Sequence, residues 1–154
     1  MADNSVIQLY TDGSSRGNPG PGGYGVVLRC GEHYKELSAG YSCTTNNRME
    51  LLAVIVGLEA IKRKNAIVHI YSDSSYVVKA VNEGWLQKWI LKGIEKQKNP
   101  DLWQRFLQVY RKHRVSFFWI KGHAGHPENE RCDKLAVEAA LSPSLKEDTG
   151  YSAV

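Results

Sequence analysis

The sequence predicts an α/β fold: a five-stranded mixed sheet, three antiparallel strands plus two added by crossovers, with helices on both faces. Three observations predict it. The first forty or so residues hold three strand-like runs separated by short turns rich in glycine and proline. Two more such runs follow, each preceded by helical patterning, and a helix-crossover connection places successive strands parallel in one sheet. The helices must then bury their apolar sides against the sheet, which layers them over both faces. With 154 residues, 42% hydrophobic and 23% charged, the chain is expected to form one domain over residues 1–154, with 144–154 as a C-terminal tail.

Val6 to Asp12, Tyr24 to Cys30 and His33 to Tyr41 read as the three antiparallel strands, the last two closed tightly at Gly31. Asn47 is positioned to cap a helix, and Met49 to Ile61 is apolar nearly all round, which predicts a buried helix. Ala66 to Ser72 is the fourth strand. A short helix runs from Ser74 to about Glu83 and stops at Gly84, and Trp85 to Lys98 mixes tryptophan with lysine around Gly93. Asn99 and Pro100 open a helix whose Trp103, Phe106, Leu107 and Tyr110 share a face. Val115 to Lys121 is the fifth strand. Pro127 begins the last helix, with Cys132, Leu135, Ala136 and Ala139 as its packed stripe, and Ser142-Pro143 ends it.

Several function classes fall away on composition. No apolar run approaches the ~20 residues of a membrane span, and Met-Ala-Asp-Asn-Ser is no signal peptide. Three cysteines, Cys30, Cys43 and Cys132, at irregular spacing fit a reducing cytoplasm better than a disulfide scaffold. The net charge of +4 hints at a polyanionic partner. Gly20-Pro-Gly22-Gly-Tyr-Gly25 matches a dinucleotide fingerprint letter for letter, but that fingerprint needs its last glycine to open a helix. Val26-Val-Leu28 follows instead and favours a strand, so a turn, or a surface where small residues let backbone amides approach another polymer, reads better.

Four acids sit in sequence that otherwise says interior. Asp12 ends a strand, Glu50 heads an apolar helix, Asp73 follows Ile67-Val-His-Ile-Tyr-Ser72, and Asp133 interrupts Arg131-Cys-Asp-Lys-Leu-Ala-Val137. Each alone has a structural explanation: Glu50 as the partner of Asn47 in a capping box, Asp73 as a helix cap, Asp12 in a turn, Asp133 facing water. If the first and fourth strands are neighbours above the first helix, however, Asp12, Glu50 and Asp73 converge. Two carboxylates ~4 Å apart repel by roughly 4 kcal/mol at an effective dielectric of about 20, so such a cluster needs protons or cations. All-oxygen ligands favour Mg²⁺ or Mn²⁺, and two such ions suit hydrolysis of a phosphodiester. His123, in Lys121-Gly-His-Ala-Gly-His126, is placed to relay a proton. A zinc site from His123, His126 and Cys132 lacks the usual ligand spacing.

Trp85, Lys88, Trp89, Lys92, Lys96 and Lys98 form a second constellation, four lysines against the single acid Glu95. Lysines neutralise phosphates and rings pack on sugars or bases. An amphipathic helix with a solvated lysine face is the plainer alternative.

Tyr10-Thr-Asp-Gly-Ser14, Gly17-Asn-Pro-Gly-Pro-Gly-Gly-Tyr-Gly25, Thr44-Thr-Asn-Asn-Arg-Met-Glu-Leu51, Ser72-Asp-Ser74, Asp101-Leu-Trp103, Lys121-Gly-His-Ala-Gly-His-Pro-Glu-Asn-Glu-Arg-Cys-Asp133 and Asp148-Thr-Gly-Tyr151 occur in order along the chain. Together they resemble type 1 ribonuclease H of the bacterial kind. The resemblance implies the ribonuclease H fold and an endonuclease that cuts the RNA strand of an RNA/DNA hybrid, leaving a 5′-phosphate and a 3′-hydroxyl. It implies that Asp12, Glu50, Asp73 and Asp133 hold two Mg²⁺ ions, with Mn²⁺ able to substitute, and that His123 is the catalytic-loop histidine. Thr45 and its neighbour Asn46 would hold a DNA-strand phosphate, Asn18 and Asn47 would approach the minor groove, and backbone around Gly13 and Ser14 would meet 2′-hydroxyls. Trp85, Lys88, Trp89 and Lys92 would form the basic handle.

Two departures stand out. Ser75 occupies a substrate-facing position where the family usually has glutamine, and Ile90-Leu91 replaces handle lysines of several relatives. Weaker, salt-sensitive binding is expected. With no separate N-terminal hybrid-binding domain, processivity should be low. A cytoplasmic monomer with no membrane partner is the expected setting. The rival functions are a catalytically inactive nucleic-acid-binding module of the same fold, and a related nuclease acting on DNA.

Overall fold

A computed structural model describes residues 5–122 and 125–151. Its elements follow the order β1 (Ile7–Ser15), β2 (Gly20–Cys30), β3 (His33–Thr44), α1 (Asn46–Glu59), β4 (Ile67–Ser72), α2 (Ser75–Asn82), α3 (Trp85–Lys92), α4 (Pro100–Tyr110), β5 (Arg114–Trp119) and α5 (Pro127–Ala140), with one 3₁₀ turn, Ile94–Lys96, between α3 and α4. The five strands form one sheet in the order β3-β2-β1-β4-β5. β1 pairs antiparallel with β2 and β2 with β3, whereas β4 lies parallel to both β1 and β5. This is the mixed sheet that the element order predicts.

The first hairpin reaches further than its composition suggests. β1 continues through Gly13 to Ser15 and β2 begins at Gly20, so Asp12 pairs with Gly25 and Ser15 with Gly22. Glycine normally weakens a strand, but here it makes room for helices on both sides. Gly25 and Gly40 lie beneath α5 so closely that a Cβ on either would collide with the carbonyl oxygen of Cys132 or Ala139. Gly25 therefore opens no helix, and the dinucleotide reading fails on that point.

α1 is buried from Arg48 to Ile55 and again at Gly57 and Leu58. It packs against Leu9 and Val26 on the sheet, and α4 adds Trp103 and Phe106 to the same core. The α4 face differs slightly from expectation, since Leu102 and Val109 are buried while Leu107 and Tyr110 are only partly so. On the opposite side α5 buries Cys132 and Leu135 against Val27 in a smaller cluster edged by Tyr10. Ala140, not Ala139, completes the buried end of that stripe.

Two expectations are corrected. The cap of α1 is Thr45, whose side chain accepts from the Arg48 amide at 3.2 Å, and Asn47 lies inside the helix. Both residue types cap well, and Thr45 is the one that meets extended backbone. Nor do residues 144–151 behave as a tail. Lys146 exchanges backbone hydrogen bonds with β3, accepting from Ser42 at 2.8 Å and donating to Gly40 at 2.9 Å. Arg48, 1% exposed, then ties this segment to two helices. Its guanidinium bonds both oxygens of Asp101, at 2.7 and 2.9 Å, and both of Asp148, at 2.8 and 2.9 Å. Thr44 donates to Asp148 at 2.7 Å, and the guanidinium lies 5.8 Å from the Tyr151 ring centroid. No described helix is long and apolar enough to cross a membrane.

Candidate active site

Because β1 and β4 are parallel neighbours, they leave the sheet at the same edge. Asp12 lies near the end of β1, and Asp73 directly follows β4. α1 begins under this edge. A side chain at Gly13 would collide with the backbone of Met49 and Glu50, so its absence lets the helix close on the strand. The Gly13 amide donates to Asp12 Oδ1 at 2.9 Å and to Glu50 Oε1, drawing both carboxylates to one donor.

Carboxylate oxygens of Asp12, Glu50 and Asp73 all lie within 4.8 Å of one another. Among the described residues they form the one acidic, histidine or cysteine cluster tight enough to hold an ion. Asp133 stands outside that triple but lines the same cleft, of about 440 Å³, with Gly13, Ser14, Asn46, Asn47, Ser74, Ser75 and Tyr76. Asp12 and Glu50 are 6% and 4% exposed. Burial, with the charges of Asp73 and Asp133 added, pushes the Asp12 carboxyl up to about 7. Burial and the charge of Asp12 raise Glu50 well above the usual carboxylate range. Without a cation the pair therefore retains a proton near neutral pH. An all-oxygen set of two buried and two half-buried acids lining one cleft suits a hard divalent ion, and the residues present fit Mg²⁺ or Mn²⁺.

A second cleft, of about 590 Å³, adjoins the first at Asn47 and is lined by Asn18, Thr45, Arg48, Lys98, Asn99 and Tyr151 among others. Asn18 Oδ1 accepts from the Asn46 amide at 3.1 Å, which joins the β1–β2 hairpin to the start of α1. Of the handle residues, Trp85, Lys88 and Lys92 lie exposed on α3. Trp89 is half-buried, its ring 5.4 Å from that of Trp103 and edge-on to it, so much of its surface belongs to the core. His123 lies outside the described residues. His126 precedes α5 without a side-chain cap, and burial pushes the Cys132 thiol far up, against any role as a zinc thiolate.

A sequence model described as RNase H matches residues 4–141. The chain belongs to the RNase H family. It is 58% identical over 147 residues to a ribonuclease H of Desulforamulus reducens, covering 92% of each chain. It is 51% identical over 150 residues to the ribonuclease H of Escherichia coli, covering 94% of this chain and 95% of the other. Among solved structures, LC9-RNase H1, a type 1 RNase H with the type 2 active-site motif, superposes with a TM-score of 0.84 at 32% identity, covering 94% of this chain and 76% of that one. LC11-RNase H1, solved in complex with an RNA/DNA hybrid, gives 0.64 at 32% identity, covering 88% and 99%. This RNase H chain thus has the fold and the enzyme family that its motifs suggest.

Two features of the RNase H site escape motif reading. Tyr76 lines the acidic cleft and accepts from the indole of Trp103 at 2.8 Å, which couples the cleft wall to the core. Arg48 offers one signal in the sequence, the single cation of a mostly apolar helix, and that pattern asks for a buried partner.

Proposed function

We propose that this chain is an endoribonuclease that hydrolyses the RNA strand of RNA/DNA hybrids, leaving 5′-phosphate and 3′-hydroxyl ends. The observation that carries the reading is the triple of Asp12, Glu50 and Asp73, the first two buried and drawn to the Gly13 amide and the third half-buried beside them, opening into a polar cleft. Two divalent ions held by these acids and Asp133 would supply charge neutralisation at the scissile phosphodiester and activation of water.

The protein's own part is to orient and to select. Gly13 holds Asp12 and Glu50 in place before substrate arrives, so little reorganisation is left for the reaction itself. Backbone at Gly13 and Ser14, with Asn47 and Ser75 across the cleft, faces the RNA strand, where contacts to 2′-hydroxyls distinguish it from DNA. Thr45, Asn46 and Asn18 hold the DNA strand through a phosphate and the groove edge. His123 carries a proton to or from the reacting oxygens. Trp85, Lys88 and Lys92 extend the grip on the DNA backbone, with a smaller share from Trp89. The complex of LC11-RNase H1 with a hybrid supports the substrate class. Residues 1–154 act as one domain, as a monomer in the cytoplasm.

The test is cleavage of a labelled RNA/DNA hybrid with Mg²⁺, run beside duplex RNA and duplex DNA, for wild type and Asp12→Asn. RNA-strand cleavage confined to the hybrid and lost in the variant is expected. A wild type that binds the hybrid and leaves it intact with both Mg²⁺ and Mn²⁺ would refute the reading.

A further inference from the structure

We infer that Gly122 is a positioning residue that sets the orientation of the Asp73 carboxylate, acting with Trp119 from the exit of β5. The inference rests on the reading above, in which Asp73 holds a divalent ion. Three contacts carry it. The Ile120 amide donates to the carbonyl of Ser72 at 3.0 Å, which keeps the chain beyond β5 alongside the end of β4. The Trp119 indole donates to the carbonyl of Asp73 at 3.2 Å. A Cβ on Gly122 would stand 2.7 Å from Asp73 Oδ2, while Cγ and Cβ of Asp73 are 3.6 and 3.7 Å away.

Gly122 does not adopt a positive φ, so its backbone is open to any residue. The missing side chain therefore serves space rather than conformation. What occupies that space is the end of a flexible carboxylate, with no backbone behind it within 4 Å among the three nearest atoms. An added methyl group is accommodated by turning Asp73 aside, at little cost to the fold and at direct cost to an ion ligand. Partners that orient metal ligands typically change metal affinity or activity ~10- to 100-fold when altered. Displacing a reacting group by ~1 Å has an effect of about the same size.

The experiment compares wild type, Gly122→Ala, Trp119→Phe and Asp73→Asn by thermal denaturation, calorimetric titration with Mg²⁺ and Mn²⁺, and steady-state cleavage of a hybrid. Gly122→Ala is expected to melt within about 3 °C of wild type, a shift of about 1 kcal/mol, and to bind the cations ~10-fold more weakly. It should lose ~10- to 100-fold in kcat with KM within about twofold. Trp119→Phe keeps an aromatic ring but removes the indole N–H donor together with part of the ring surface, and a loss of about threefold in cation affinity, the size set by one neutral hydrogen bond, is expected. It carries the test if Gly122→Ala does not fold. Cation affinity and kcat equal to wild type in the folded variants overturn the inference, as does a wild type that binds no divalent cation. If wild type binds cations and cuts no hybrid, the proposed function fails, while weaker cation binding by Gly122→Ala still upholds the positioning role.

Discussion

Replacing Asp12 by asparagine should abolish cleavage and at the same time stabilise the cation-free protein. Burial raises the Asp12 carboxyl from its ordinary value of 3.8 to about 7, so between those values the folded protein keeps a proton that the unfolded chain has released. Stability from this group is greatest below about pH 4, declines as the pH rises, and is lost above about pH 7. A displacement of about three pH units at 1.36 kcal/mol each bounds the cost at about 4 kcal/mol. Glu50 shares the proton, so about 2 to 4 kcal/mol is the expected gain for the variant at pH 8, or about 5 to 15 °C in Tm for a chain of this size. Denaturation in EDTA at pH 4 and pH 8 reads it directly. Mg²⁺ should narrow the gap at pH 8, because wild type gains from binding what the variant binds poorly. An Asp12→Asn variant no more stable than wild type at pH 8, or equally favoured at both pH values, would refute this account of the cluster.

Other perturbations reach different parts of the molecule. Arg48→Ala leaves Asp148 buried without its cation and should lower stability by about 3 to 5 kcal/mol in urea denaturation, while the Asp12 region keeps its fold. Gly25→Ala forces α5 off β2 at Cys132, next to Asp133; overpacking costs about 1 to 3 kcal/mol, and kcat should fall with it in steady-state kinetics. Lys88→Ala should leave kcat unchanged and reduce the slope of log affinity against log salt by about 0.7 to 0.9 if that lysine meets a phosphate. A slope equal to wild type would place Lys88 off the substrate path.

Much of this architecture can be read from residue patterns because local and tertiary preferences agree. Met49 to Leu58 is apolar nearly all round and is buried nearly all round; Pro100 and Pro127 begin helices; Gly31 closes the β2–β3 turn. The acids Asp12, Glu50 and Asp73 are conspicuous for the same reason, as charges in apolar surroundings. Legibility fails where tertiary contact overrides local chemistry. Gly20 to Gly23 look like loop and form strand, and at Gly23 the gain comes from α5 resting on bare backbone. Residues 144–151 look polar and unstructured, yet Asp148 is held by an arginine distant in sequence. Gly122 carries no chemistry of its own to notice, and its meaning appears only once Asp73 stands beside it.

The Arg48 junction also sets a timetable for the nascent chain. Asp148 follows Arg48 by 100 positions, an interval of roughly 5 to 20 seconds at ~5 to 20 residues per second of synthesis. Asp12, Glu50 and Asp73 are all translated well before that interval ends. The corner that presents Thr45 and Asn47 is completed only when Asp148 arrives, so the ribosome delivers three of the four acids early and the brace behind this corner last.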